Sequence, residues 1–453
     1  MTPRANRRLR RAFSTVCLPF AVLALLAAAP PTETGLIHRD DRAWPGYTLM
    51  APISLDTTYL LNLDGNVVHT WESDAPAGNA VYLLENGNLL RTEQIAPTDG
   101  ERTFEQGGTG GRIREISPDG AVVWEYTLST SEHRLHHDVA VLPNGNVLMI
   151  AWEAKTKEEA IAAGRDPDLL KDGELWPDKI LEVRPTTPLG GEIVWEWHVW
   201  DHLVQDHDPS KPNHGDPAAH PELVDLNYAL HGGSKDWNHT NGIDYNAQLD
   251  QIALSVHEFG EVWIIDHSTT AEEAASHEGG RYGRGGDLLY RWGNPQTYRA
   301  GGPRDQVWFG QHDVQWIGEG LPGAGYLLAF NNGMGRPGEP FSTVDEIAVP
   351  ILDDGSYLRP PTGLPYRPLD LAWRYRGDGF YSSNISGAQR LPNGNTLICQ
   401  GAAGRLFEVT SDGDIVWEYV NPFAAEGRNG PRREVFKVQR YDVDDPRIEA
   451  LLD

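Results

Sequence analysis

The chain has 453 residues, with 65 acidic side chains against 38 basic ones and a formal net charge of −27. That balance excludes nucleic acid as a natural partner, because a phosphate backbone is bound by clustered Lys and Arg. Its two cysteines are Cys17, in an N-terminal apolar run, and Cys399, so a chain that has lost that run has no intramolecular disulfide.

Residues 1 to 29 read as a signal peptide. Arg4, Arg7, Arg8, Arg10 and Arg11 precede the run AFSTVCLPFAVLALLAAA, its Ala-rich exit suits cleavage, and no polar stop-transfer flank follows. The pair Arg10-Arg11 followed by Phe13 leaves twin-arginine export open beside the general route. Cys17 lies inside the run rather than at its end, which argues against a lipid anchor. Removing the five arginines leaves −32 for a chain starting near Pro30. The expectation is an exported protein, periplasmic or extracellular, with no stable membrane insertion of the mature chain.

Beyond the leader a unit recurs six times: VVHTW at 67–71, VVWEY at 122–126, IVWEW at 193–197, LLYRW at 288–292, LAWRY at 371–375 and IVWEY at 415–419. Each reads as a strand with alternating faces. NGN turns appear in LLENGNLL at 83–90, VLPNGNVLMI at 141–150 and RLPNGNTLIC at 390–399. Asn-Gly accepts positive φ at both central turn positions, so each is expected to close a hairpin. All-β repeats of this size with no helical period between them predict a six-bladed β-propeller over residues 30–453.

The aromatic strands are 55, 71, 95, 83 and 44 residues apart, whereas a bare blade needs about 40 to 50. The excess falls in insertions at 153–178, where KTKEEAIAAG predicts a short helix, at 198–235 and at 333–365, all three expected to cover one mouth. GYTLMAP at 46–52 and EVFKVQRY at 434–441 have no blade of their own. Pairing these two segments would close the ring and remove an open edge.

Aligning the repeats on their NGN turns puts Asn79, His137, Asn241, His312 and Ser386 in one register, with His239 two residues upstream of Asn241. One register maps to one ring around a propeller axis, so three histidines are expected near one mouth. Histidines that only satisfy buried backbone groups are the competing reading.

The segments DWNHTNGIDYNAQLDQIALSVHEFGEVWIIDHS at 236–268, LLYRWGNPQ at 288–296 and FGQHDVQWIG at 309–318 resemble the bacterial arylsulfotransferase family, as do LHHDVAVLPNGN at 135–146 and SGAQRLPNGNTLIC at 386–399. The resemblance implies a six-bladed propeller and a two-step transfer of a sulfuryl group from an aryl sulfate to a phenol through a sulfated histidine, without a cofactor. It places His312 as nucleophile, His239 as a neighbouring catalytic histidine and His137 as a third. The chemistry of the transfer then assigns His239 to the proton of the leaving and accepting phenol and His137 to the sulfuryl oxygens. Two departures stand out. His257 occupies the place of an arginine in better-known members, and barely thirty residues lie between the leader and the first blade, with no room for a separate N-terminal β-domain.

His136, Asn241, Trp237 and Trp308 are candidate substrate-binding residues, the two tryptophans because they flank the site motifs. Asp138 and Asp313 follow ring histidines and are expected to point away from the channel, since adjacent strand residues alternate faces. His198, His202, His207, His214, His220 and His231 crowd one Asp-rich insertion, but their spacing matches no closed zinc pattern, so no metal is expected. A hydrolase that passes the group to water, and an inactive propeller serving as a binding platform, stay open beside the transferase, as does the oligomeric state.

Overall fold

The computed structural model describes residues 33–100, 103–229, 232–428 and 430–452. The proposed leader therefore lies outside the described residues, as does His231. Six antiparallel sheets are arranged as the blades of a propeller. Blade 1 is the shared one: Val435–Tyr441 is its innermost strand, followed by Tyr47–Pro52, Thr57–Leu61 and Val67–Glu72. The register Tyr47↔Tyr441, Thr48↔Arg440 and Leu49↔Gln439 joins the two ends of the chain as the sequence reading expects. Gly35–Arg39 adds an unforeseen fifth strand to the outer edge of blade 6, against Ile415–Val420.

Each aromatic repeat is the fourth strand of its blade, and in five of the six its third residue reaches across to the next blade. Trp124 donates its indole N–H to Gly190 O at 2.7 Å, Trp195 to Thr269 Oγ1 at 3.0 Å, Trp373 to Ser411 O at 2.9 Å and Trp417 to Leu63 O at 2.9 Å. The Tyr290 hydroxyl does the same to Arg367 O at 2.6 Å. All five acceptors lie in the connection between the third and fourth strands of the following blade. A buried indole favours a partner for its one donor, and here that partner is on the next blade, which ties neighbouring blades together.

The NGN turns close hairpins by a different geometry from the one expected. Only the glycine takes positive φ, at +79° in Gly87, +84° in Gly145 and +88° in Gly394. The pattern is a type I turn completed by a left-handed glycine bulge, with Gly87 N–H donating to Leu84 O. Each residue of the motif has its own task. The first Asn accepts the N–H two residues on, as Asn86 Oδ1 does from Asn88 N at 3.0 Å. The second reaches the third strand of its blade, as Asn395 Nδ2 does to Glu408 Oε1 at 2.6 Å.

The insertions do not all share a mouth. Residues 154–177, which include the helix Lys157–Ala162, follow a second strand and lie on the side where inner strands begin. The 333–365 segment is split by the strand Thr343–Ile347, and its later part runs beside the opposite mouth, where Gly355 O accepts from Gln251 Nε2 at 2.9 Å. No helix of the described residues is long and apolar enough to cross a membrane.

Candidate active site

Inner strands begin at the mouth opposite the NGN turns, and there the histidines meet. His312 is the first residue of the inner strand His312–Trp316 of blade 5, and His239 precedes the inner strand Thr240–Asn246 of blade 4. His257 follows the second strand Gln251–Val256 of blade 4, and His137 sits within His133–Val141 of blade 3. Their rings are in sequence: His137 to His239 at 4.6 Å between centroids, His239 to His257 at 5.1 Å, and His257 to His312 at 5.4 Å. Phe436 of blade 1 closes the circuit, 5.9 Å from His137 and 6.2 Å from His312.

The backbone is strained here. Eight non-glycine described residues have positive φ, and five of them, His137, His239, Asp313, Ile385 and Ser386, stand at or just before inner strands around this mouth. Ile385 at +49° is a β-branched residue in a region that costs of order 1–3 kcal/mol. Such strain persists only where the surroundings over-determine it, as at a site built to hold groups in place.

His312 has one protonation pattern that satisfies its neighbours. Nδ1 lies 2.8 Å from Asn332 Oδ1 and 3.3 Å from Gly310 O, and Asn332 Nδ2 donates to Ser382 O and Ile385 O, which fixes its amide orientation. Both groups at Nδ1 are acceptors, so Nδ1 carries the proton. Nε2 is then bare and accepts the Ile385 N–H at 3.2 Å. Burial, and then the neighbouring His257, push His312 well below the ordinary histidine range, which keeps it neutral.

His239 is its electrostatic opposite. Burial works against its charge, yet Asp236 Oδ2, 2.5 Å from Nδ1, raises its pKa to about 9. Asp236 is itself held by the indole N–H of Trp152 at 2.9 Å. His137 is neutral, lowered first by burial and then by His239. Its Nδ1 lies 2.8 Å from Nδ1 of His136, so one of the two supplies the proton between them. His136 stacks on Trp152 at 4.0 Å and has Nε2 3.2 Å from Asp178 Oδ1, without hydrogen-bond alignment. His257 Nδ1 lies 3.0 Å from Glu258 Oε1. Gly108 makes room for this packing: a Cβ there would stand 1.9 Å from the His137 ring.

Other expectations need correction. Asp138 and Asp313 point into the channel, where Lys437 of blade 1 bonds Asp138 of blade 3 at 2.7 Å and Asp313 of blade 5 at 3.1 Å. Blades 1, 3 and 5 are not neighbours, so these side chains meet across the axis. The reason is local: the inner strand of blade 3 bulges between its pairings at Leu135 and Val139, and positive φ at His137 and Asp313 breaks the alternation. Trp237 and Trp308 are core residues, bonded to Tyr228 O and Asp345 Oδ2, and line no aryl pocket with the histidines. Asn241 is buried behind the ring, with Nδ2 on Gln311 O at 2.8 Å. Sequence reasoning missed Trp152, Asp236, Asn332, Ile385 and Phe436, of which only Asp236, three residues before His239 in its own motif, was within reach.

The insertion histidines scatter. His198 lies between Glu153 and Glu196, and His220 beside Glu222, while His202 meets His277 and Asp287 from a different loop. A cavity of about 720 Å³ opens at the opposite mouth, with Lys437, Tyr82, Asp244 and Arg447 among its walls. None of the four ring histidines lines it. The Lys437 layer divides the channel, and the site is defined by its converging imidazoles rather than by that volume.

Fold and site together define a propeller with a strained histidine cluster at one axial mouth. The family model described as Arylsulfotransferase (ASST) matches residues 47–348, well over half of the chain and including all four ring histidines, and the chain belongs to that family. Membership supports aryl sulfotransferase activity in general. No curated protein matches the chain. Among solved structures, a Bacteroides caccae protein of unknown function is similar at 12% identity with a TM-score of 0.46, covering 87% of this chain and 98% of that one. The Cps50 (Swd1) β-propeller domain of Myceliophteria thermophila is similar at 12% identity with a TM-score of 0.42, covering 91% and 98%.

Proposed function

We propose that this protein is exported and transfers a sulfuryl group from an aryl sulfate to a phenol through a sulfated His312. The observation that carries the reading is the fixed tautomer of His312, whose bare Nε2 lies on a buried ring beside His257. A neutral imidazole nitrogen is a competent nucleophile. Nε2 attacks sulfur, the N–S bond forms as the ester S–O bond breaks, and the electron pair leaves on the aryl oxygen. His239, protonated near neutral pH, gives that oxygen its proton. The Nδ1–H held by Asn332 makes the sulfated ring an imidazolium, a good leaving group for the second step. The acceptor phenol then returns a proton to His239 as its oxygen attacks sulfur, and the electron pair goes back to Nε2.

Charge in a loose sulfuryl transfer gathers on the leaving oxygen and the equatorial oxygens, by analogy with phosphoryl transfer. The Ile385 N–H, already 3.2 Å from Nε2, is placed to move onto one such oxygen. His137 donates through Nε2 when His136 supplies the shared Nδ1 proton, and His257 takes the position of the family arginine. The test is incubation with an aryl sulfate and a phenol. Sulfated acceptor is expected, with His312→Ala losing transfer by several orders of magnitude. Release of inorganic sulfate alone would make the protein a hydrolase, and no turnover would make it a binding platform.

A further inference from the structure

We infer that His202, His277 and Asp287 form a binding site for a divalent transition-metal ion of the zinc class, at the flank of the propeller and separate from the histidine mouth. One ligand atom from each lies within 4.8 Å of the others. His202 follows the short helical turn Val199–Asp201, while His277 and Asp287 lie in the connection between the strands Glu261–Asp266 and Tyr290–Trp292.

The hydrogen bonds of His202 carry the argument. Its Nε2 lies 2.8 Å from Ala274 O, and a carbonyl only accepts, so Nε2 carries a proton. The nitrogen left facing the cluster is Nδ1, 2.8 Å from Asp287 Oδ1. His277 Nδ1 meets the same oxygen at 2.7 Å. Two imidazole nitrogens and one carboxylate oxygen thus converge on one point, where a cation would sit. An imidazole that gives its outer N–H to a backbone carbonyl and its inner nitrogen to a metal is the usual orientation of a histidine ligand.

The surroundings hold His202 ready. It is fully buried and stacked on Trp197, with centroids 5.6 Å apart and planes 7° from parallel. Gly286 has no side chain where a Cβ would stand 2.0 Å from Ala274 O and 2.5 Å from His202 Nε2. His277 is 58% exposed at its side chain and faces solvent, so its ring has room to swing outward and the ligand atoms to spread to the ~3.3 Å of a tetrahedral ion with bonds of about 2.0–2.1 Å. A cavity of about 460 Å³ adjoins the cluster, lined by His277, His214 and His220, and offers the fourth position to water or an anion. Two imidazoles and one carboxylate select zinc, cobalt, nickel or copper over calcium or magnesium. Binding would tie the 198–235 insertion to the connection that carries His277 and Asp287.

Chelator-treated protein is titrated with zinc near neutral pH by calorimetry, with cobalt absorption reporting ligand type and thermal unfolding reporting stability. One zinc per chain is expected, with a rise in Tm and a cobalt spectrum of low coordination number. His277→Ala, at an exposed position, should weaken binding by ~100-fold or more and abolish the Tm rise. Asp287→Asn should act alike, and His38→Ala, on an exposed strand elsewhere, should bind as wild type. Absence of saturable binding in wild type would leave an imidazole–carboxylate cluster only and overturn the inference. So would binding that His277→Ala leaves unchanged.

Discussion

Replacing Asp236 with Asn keeps the shape that Trp152 and His239 pack against and removes the charge. In the wild type, burial opposes protonation of His239 and Asp236 outweighs it, so the imidazole stands at about 9 against an ordinary histidine's 6.5. At 1.36 kcal/mol per unit, that is about 3 kcal/mol in favour of the imidazolium. Without the carboxylate, His239 should fall to 6.5 or below. The assay is kcat/KM for an aryl sulfate from neutral to alkaline pH. Because the proposed step uses protonated His239, the wild type should lose activity as pH rises through about 9. In Asp236→Asn the same limb should move down by about two units or more. Near pH 8 the protonated fraction then drops from about 90% to about 3%, a ~30-fold loss. Esters of acidic phenols, whose oxygen leaves without a proton, should lose much less. An unmoved alkaline limb, or an equal loss for every leaving group, would refute the role given to His239.

Asn332→Leu removes the acceptor that fixes the His312 tautomer, and transfer should fall by ~100-fold or more, the scale of losing the group that orients a catalytic imidazole, with substrate binding by equilibrium titration little changed. Gly108→Ala forces a Cβ into the His137 ring at a φ of +80°, so urea unfolding should show a loss of more than about 1 kcal/mol, along with slower transfer. Lys437→Met leaves Asp138 and Asp313 buried without their cation, and equilibrium unfolding near neutral pH should report a loss of ~3–5 kcal/mol that shrinks once acid protonates the carboxylates.

The blades were legible because their signals are local. A β-branched run ending on an aromatic residue, and an Asn-Gly-Asn turn, each need only a few neighbouring residues to act. The carbonyl that receives the Trp124 indole, 66 residues away on the next blade, leaves no such mark, so the reason for the tryptophan was hidden while its presence was plain. The convergence of His137 and His312 followed from a shared register, which survives any loop length between blades. In blade 4, by contrast, the register member Asn241 is buried behind the ring and His239, two residues earlier, takes the place in it. Orientation within the register did not follow. Strict alternation sent Asp138 and Asp313 outward, whereas bulging and positive φ at His137 and Asp313 turn both aspartates onto Lys437. Trp237 and Trp308 were misplaced because adjacency in sequence was read as adjacency in the site. Trp152, 84 residues from the Asp236 it holds, and Phe436, brought in only when the ends of the chain share a blade, could be seen only once the ring was closed.

The central claim is that His312 is the nucleophile, and covalent capture tests it most directly. The protein is exposed briefly to an activated aryl sulfate with no phenol present, its intact mass is measured, and the modified peptide is mapped under alkaline conditions that preserve N-sulfated histidine. The account predicts a gain of one sulfuryl group on the peptide containing His312, lost on adding phenol and absent in His312→Ala. A sulfuryl group on His137, His239 or His257, or full transfer with no covalent species at any time, would contradict it.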